Sequence, residues 1–257
     1  MHRMIGISVA LILLASQLSA APYPDEAKAI LEKAIKAQGG EAKLAKLKTA
    51  RIKVKGKGDF PMVGEQDFVI EDIWQAPDRY LSTIEMHIGG QDVTIKQCLN
   101  GKEGWTSVND MVIDMPKKDF AEFKEQAYAE SLERLGFLKD DSFKVDVLKE
   151  IKVNDKPAVG VVVMSKGHRD VKLYFDKDSG LLVKREHDVM NEGDKDEEGK
   201  LVNQQVFFSD YKEKDGLKVA HKLVANRGGK KFIEAEVTDI ELPDKKWEDS
   251  VFAKPEK

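Results

Sequence analysis

EQDFVIEDIWQAPDRYLSTIEMHIG, residues 65–89, decides the fold. Apolar and polar residues alternate through Phe68, Ile70 and Trp74, stop at Pro77, and alternate again through Tyr80, Ile84, Met86 and Ile88. A period of two marks strands with one face turned to an apolar interior, and a proline between two such runs marks a turn. The same pattern extends in both directions. RIKVKGKG precedes this stretch and DVTIKQCLNG follows it. Further on come SFKVDVLKEIKV, PAVGVVVMSKG, DVKLYFD, GLLVKREHDV, LVNQQVFFSDYK, GLKVAHKLVAN and KFIEAEVTDIEL. These runs predict about eleven short strands joined by turns, an antiparallel meander in one domain.

Two segments break the period. PDEAKAILEKAIKAQGG, residues 24–40, places Ala27, Ile30, Leu31, Ala34 and Ile35 at helical spacing. Pro24 and the acidic pair Asp25 and Glu26 suit the first turn, and Gly39-Gly40 ends it. EAKLAKLK predicts a second short helical piece. PKKDFAEFKEQAYAESLERLGFLK, residues 116–139, predicts a helical insertion in mid-chain, with Phe120, Phe123, Ala127, Ser131, Leu132 and Leu135 on one face. In the tail, Trp247, Val251 and Phe252 can pack a last turn against the sheet.

The chain of 257 residues opens with Arg3, the apolar run Met4–Ala15 and the small residues Ser19, Ala20 and Ala21. This order predicts an export signal over residues 1–21 and a single domain over 22–257. The run is short for a membrane span, which needs roughly 20 apolar residues. Net charge is −4 from 42 basic and 46 acidic residues, mixed along the chain. That mixture excludes a basic nucleic-acid footprint and a polybasic membrane patch. Cys98 is the one cysteine, so no internal disulfide supports the fold. Its place in an alternating run predicts a strand thiol rather than a nucleophile.

The carboxylates of DKDSG, residues 176–180, could suggest metal or acid/base chemistry. Asp, Ser and Gly are also the residues that a hairpin corner demands, and strands flank them on both sides. The turn reading accounts for every residue. DKDEEGKLVNQQ, residues 194–205, partly matches a calcium loop through Asp194, Asp196, Glu198 and Gly199. Gln205 stands where a bidentate Glu is required, so the segment reads as a solvated acidic loop. His187 and His221 are the histidines that a metal-dependent hydrolase would draw on. No i, i+4 pairing, phosphate loop or nucleophile elbow accompanies them. Neither a catalytic residue, a cofactor nor a metal is expected.

A resemblance lies in the order of several motifs. EDIWQAPDRY, residues 71–80, is followed by LNGKEGWTS at 99–107, the helical insertion, FDKDSGLLVKRE at 175–186, DYKEKDGLKVAHKLV at 210–224 and DSVFAKP at 249–255. Together they resemble the periplasmic lipoprotein-carrier superfamily, the LolA/LolB-like fold of outer-membrane lipoprotein sorting. The resemblance implies an α+β, mainly β architecture: a single curved antiparallel sheet forming an unclosed β-barrel, covered by the N-terminal helix and a mid-chain helical lid. It implies a non-catalytic periplasmic carrier, monomeric and in transient membrane contact. Its ligand would be a lipidated protein or another acyl-bearing molecule, and envelope transport proteins would be its partners. The expected apolar lining is Trp74, Tyr80, Ile84, Met86, Ile88 and Trp105 from the sheet. Phe120 and Phe123 would join it from the lid. In those carriers an arginine before the strand-corner proline ties lid to sheet; here Ala76 holds that place and Arg79 is the nearest substitute. The rival expectation is a ligand-free envelope scaffold that docks a protein partner.

Overall fold

The computed structural model describes residues 24–60, 63–136, 138, 142–191 and 199–256. The expected export signal at residues 1–21 and the acidic triplet Asp194, Asp196 and Glu198 lie outside these residues. Thirteen antiparallel strands form one sheet in the order β6-β5-β4-β3-β2-β1-β13-β12-β11-β10-β9-β8-β7. The first meander runs through β1 (Thr49–Phe60), β2 (Gly64–Gln75), β3 (Arg79–Ile88), β4 (Gln91–Asn100), β5 (Glu103–Val108) and β6 (Met111–Asp114). The second runs through β7 (Phe143–Val153), β8 (Lys156–Ser165), β9 (Val171–Asp176), β10 (Leu182–Met190), β11 (Leu201–Lys214), β12 (Leu217–Arg227) and β13 (Lys230–Glu241). Pairing of β1 with β13 joins them at the centre. The edge strands β6 and β7 do not pair, so the barrel is unclosed.

The sheet has two strands more than the sequence reading counts. Glu103–Val108 and Met111–Asp114 form a hairpin about Asn109-Asp110, both at positive φ (48° and 65°). Two adjacent positive-φ residues make the turn whose twist matches a hairpin. Asn109 also accepts a hydrogen bond from the Thr94 amide through its side chain (2.8 Å), which ties the turn to β4. Met111, Ile113 and Val108 are exposed, so the buried alternation that Trp105 and Ser107 show in β5 is missing at the hairpin tip and in β6.

Helix α1 (Asp25–Gln38) buries Ala27, Leu31, Ala34 and Ile35 against the inner faces of β7, β8 and β12. The corner at 176–180 supports it. Asp176 accepts from both the amide and the hydroxyl of Ser179 (2.7 Å each), and Gly180 takes φ +76° where a Cβ would press on Lys33 of α1. The Ser179 bonds hold the Asp176 carboxyl below its ordinary range. DKDSG is therefore a capped corner beneath a helix. Helix α2 shrinks to Glu41–Leu44 before β1 begins.

Helix α3 (Lys117–Ser131), followed by a 3₁₀ turn at Leu132–Arg134, carries the chain from edge strand β6 to edge strand β7. It crosses the concave side, near β4 and β10. Its buried residues are Glu122, Phe123 and Ala129, a face turned from the expected apolar one because Glu122 is drawn inward by polar partners. Leu132, Leu135 and Leu138 then anchor the end of the crossing in the core.

The convex side carries a smaller core. The tail folds back so that Phe252, fully buried, covers Leu81, Cys98 and Trp105. The carbonyl of Phe252 accepts from Trp105 Nε1 at 3.1 Å and from Cys98 Sγ at 3.4 Å. Burial pushes the Cys98 thiol up to about 12, the opposite of an activated nucleophile. Phe252→Ala should cost about 3–5 kcal/mol in urea unfolding through the cavity left behind. It should also turn Cys98 from inert to reactive toward a thiol reagent in the native state.

Candidate functional site

Between the concave face and α3 lies a cavity of about 720 Å³. Strand register sets its wall in rows. Val54, Ile70 and Ile84 form one row, Ala50, Trp74, Tyr80 and Leu99 another. Phe208, Leu223 and Ile233 continue the lining from β11, β12 and β13. At one end Phe60 meets Phe68 and Phe232 edge-on, each 5.8 Å between ring centres. Alternation turns these residues inward, on strands whose outer face is polar apart from the patch of Ile73, Leu81 and Cys98 under the tail, so the wall follows from the period of two.

Of the eight expected lining residues, Trp74, Tyr80, Ile84 and Phe123 stand in this wall. Phe123 packs on Tyr80 with 5.5 Å between ring centres. Phe120 lies over Gly104, where a Cβ would come within 2.5 Å of its ring; only glycine lets the lid sit so close to β5. Met86 and Ile88 continue the β3 face past the cavity, half-buried. Met86 borders a second hollow of about 970 Å³, whose walls carry Lys55, Lys57, Asp67, Glu85, Glu234 and Glu236. That charged lining does not suit an apolar ligand. Trp105 is placed elsewhere, on the convex side under the tail.

The lid is tied to the sheet by polar contacts. Glu122 pairs with Arg169 (2.7 Å) and accepts from the Met190 amide (3.0 Å). Glu125 accepts from the Arg169 amide (2.8 Å) and pairs with His168 (2.9 Å), whose ring stacks on Tyr128 at 3.8 Å. Arg185 of β10 pairs with Glu133, and Arg134 lies over the Trp74 ring, 3.9 Å from its centre. The latch therefore uses Arg134 and Arg185. Arg79 points instead to the tail, pairing with Asp249 and lying over Phe252.

One polar row interrupts the apolar wall: Asp72, Ser82 and Gln97 stand opposite each other on β2, β3 and β4. Asp72 falls in phase with Phe68, Ile70 and Trp74, and its Oδ1 is buried without a hydrogen-bond partner. Above it, Glu130 of α3 accepts from the Tyr80 hydroxyl at 3.0 Å. Burial first, then the Glu130 charge, raises the Asp72 carboxyl to about 7, against the opposing hydrogen-bonding of Ser82 and Tyr80. Burial also raises Glu133 to about 7 despite Arg185. His187 is buried beside Arg185, Arg169 and Arg227, and burial with those charges lowers it to about 3. His187 and His221 stand on β10 and β12, with β11 between them. Among the described residues no three His, Cys, Asp or Glu gather to hold a metal.

No protein-family model matches the chain, and no curated protein does. Solved structures do match in fold. A LolA superfamily protein from Nitrosomonas europaea superposes with a TM-score of 0.55 at 12% identity, over 89% of this chain and 97% of that one. A proposed outer membrane lipoprotein-sorting protein domain from Vibrio parahaemolyticus gives 0.52 at 12% identity, over 89% and 96%. A DUF1329 family protein from Desulfovibrio piger gives 0.51 at 16%, over 88% and 99%. The fold is LolA-like, an unclosed antiparallel half-barrel with helices over its concave face. Among the described residues no helix is long and apolar enough to cross a membrane.

The raised Asp72 carboxyl fixes a sign. Between about pH 4 and 7 the folded chain holds a proton that the unfolded chain has released, so this residue's contribution to stability falls as pH rises through that window. Asp72→Asn should therefore raise the melting temperature relative to wild type by a few degrees at pH 8 and by much less at pH 4.5, measured by thermal circular dichroism.

Proposed function

We propose that this protein is a non-catalytic carrier that holds the apolar part of an amphiphile, an acyl-bearing lipid or a lipidated protein, between sheet and lid. The observation that carries the reading is the cavity itself. A fold of this size ordinarily fills the space between its layers with side chains at crystal-like density. Here apolar side chains from eight strands face about 720 Å³ of space, a volume in the range of small-molecule sites. Transferring each methylene of an acyl chain from water into such a wall contributes roughly 0.8 kcal/mol.

Release requires the lid to open, and its construction supports that. Within α3 only Phe123 and Ala129 are buried apolar residues, whereas α1 buries four. The lid's hold is mainly directional and polar, so opening exposes little apolar surface. Its ion pairs are half-buried, with Glu122 and Arg185 nearly sealed, so each group offsets its burial cost only while paired, and opening returns these charges to water. The buried Cys98, the sealed His187 and the Asp72 carboxyl set in an apolar wall fit binding rather than bond chemistry. The segment 1–21 and the names of the fold neighbours support an envelope location and a part in lipoprotein sorting or lipid transport.

The test is titration with a neutral apolar fluorophore, N-phenyl-1-naphthylamine. Saturable uptake near one per chain is expected. Ile84→Asp should lower affinity about tenfold or more by placing a charge in the wall, with the far-ultraviolet spectrum retained. Undiminished uptake by Ile84→Asp would remove the ligand from this cavity. A wild-type protein that takes up no probe would favour the scaffold that docks a protein partner.

A further inference from the structure

The carrier reading needs an apolar wall; it does not need a carboxyl group within that wall. Asp72 is the only charged residue on the inward-facing positions of β1, β2 and β3. Its Oδ1 has no partner, and burying a carboxylate without a counter-charge is costly. A buried acceptor oxygen left open in this way can take a donor from a bound molecule. The surrounding charges indicate its sign. Glu130 and Glu133 face this region from the lid, with Arg134 beside them and Arg185 opposite on β10. Arg185 is taken by Glu133, and Arg134 lies on the face of Trp74. Glu130 holds the Tyr80 hydroxyl and has Asp72 as a like-charged neighbour. The charges that bear on Asp72 itself, Glu130 and Glu71, are both acidic, so a cation at this spot relieves their repulsion, although the wider lining also carries Arg79, Lys124, Arg134, Arg185 and Arg227.

We propose that the polar row is the head-group end of the site, and that it selects an amphiphile bearing a primary ammonium. The ammonium is held by Asp72 and Glu130, with the apolar tail lying along Ile70, Ile84 and Phe68 toward the aromatic trio. This inference rests on the carrier reading and deepens it. An ammonium brings three donors to a place where Asp72, Glu130, Ser82 and Gln97 all offer acceptor oxygens. It also relieves the repulsion between Asp72 and Glu130, which an alkyl carboxylate would increase. The raised Asp72 carboxyl adds a pH signature. Ammonium binding stabilises the ionised form, so affinity for an amine should rise from pH 5.5 to pH 8, where a long-chain amine stays protonated. The other titratable groups near Asp72 are Glu71 on its own strand, Tyr80 on β3, Glu130 on α3, Glu133 and Arg134 on the 3₁₀ turn, and Arg185 on β10.

The experiment displaces N-phenyl-1-naphthylamine from the protein with dodecylamine, dodecanol and dodecanoate, each below its micelle concentration, at pH 5.5 and 8. At pH 8 dodecylamine should displace the probe at a concentration about tenfold or more below that of dodecanoate, as a charge-assisted hydrogen bond implies. Asp72→Asn should bring the two within about threefold. Glu130→Gln, on the lid and outside the sheet, should narrow the gap in the same direction and serves if Asp72→Asn does not fold. Dodecanoate binding as well as dodecylamine, or a preference that survives both substitutions, overturns the head-group assignment while leaving the carrier reading in place. A wild-type protein that binds neither the probe nor any of the three chains overturns both.

Discussion

The pairing of β1 with β13 is the constraint on which the rest of the structure depends. It places the two chain ends of the sheet at its centre and leaves β6 and β7, neighbours in sequence, at opposite edges. The segment between them has to cross a face of the sheet, and it takes the concave one, over β4 and β10. Helix α3 is that route, so the crossing follows from the topology. The seam is close-packed: Gly56 of β1 lies against Ala235 and the Glu234 carbonyl so tightly that a Cβ would overlap the backbone. On the outer face Arg51 reaches Glu71, Asp239 and Glu241 across three strands. Exposed pairs of this kind contribute little each; the backbone ladder and the inward apolar rows hold the seam.

The two sides of the half-barrel are stabilised differently. On the side of β7–β12, α1 and the leucines after α3 fill the concavity with an ordinary core. Over β1–β4 the same concavity stays open, and the rigidity of the wall comes from behind. The tail packs Phe252, Val251 and Trp247 onto the convex face of β2–β5. A sheet backed in this way can keep apolar side chains turned into empty space without collapsing onto them. The lid above them is held by Glu122–Arg169, Glu125–His168, Glu133–Arg185 and Arg134 on Trp74, which are contacts that can break singly.

Much of this was legible in the sequence, for identifiable reasons. Period-two runs bounded by Gly, Pro and Asp placed the strands with buried inner faces, and helical spacing placed α1 and the crossing segment. The β6 half of the hairpin was not legible from burial, because Met111 and Ile113 are exposed; its signal was Asn109-Asp110, a pair suited to two positive-φ positions. Trp105 illustrates the limit of alternation. The period separates two faces of a strand and does not say which is concave, and only the folded-back tail decides that Trp105 is covered by Phe252. Asp72 was in plain view. Phe68, Ile70 and Trp74 share a face, and Asp72 is the one position of that series with a carboxyl. A charged residue in phase with an apolar face is the sequence signal of a buried polar site, and an adjacent Glu71 disguises it as an ordinary acidic pair.

The central claim is that the space beneath α3 is occupied by the apolar part of a ligand in the working protein. Native mass spectrometry of the protein, purified from its own host without detergent, tests this most directly. The account predicts an apolar adduct near one per chain, released by organic solvent and lost in a protein carrying a charged residue at Ile84. A bare mass for every copy, together with a crystal structure in which side chains fill the cavity, would contradict it.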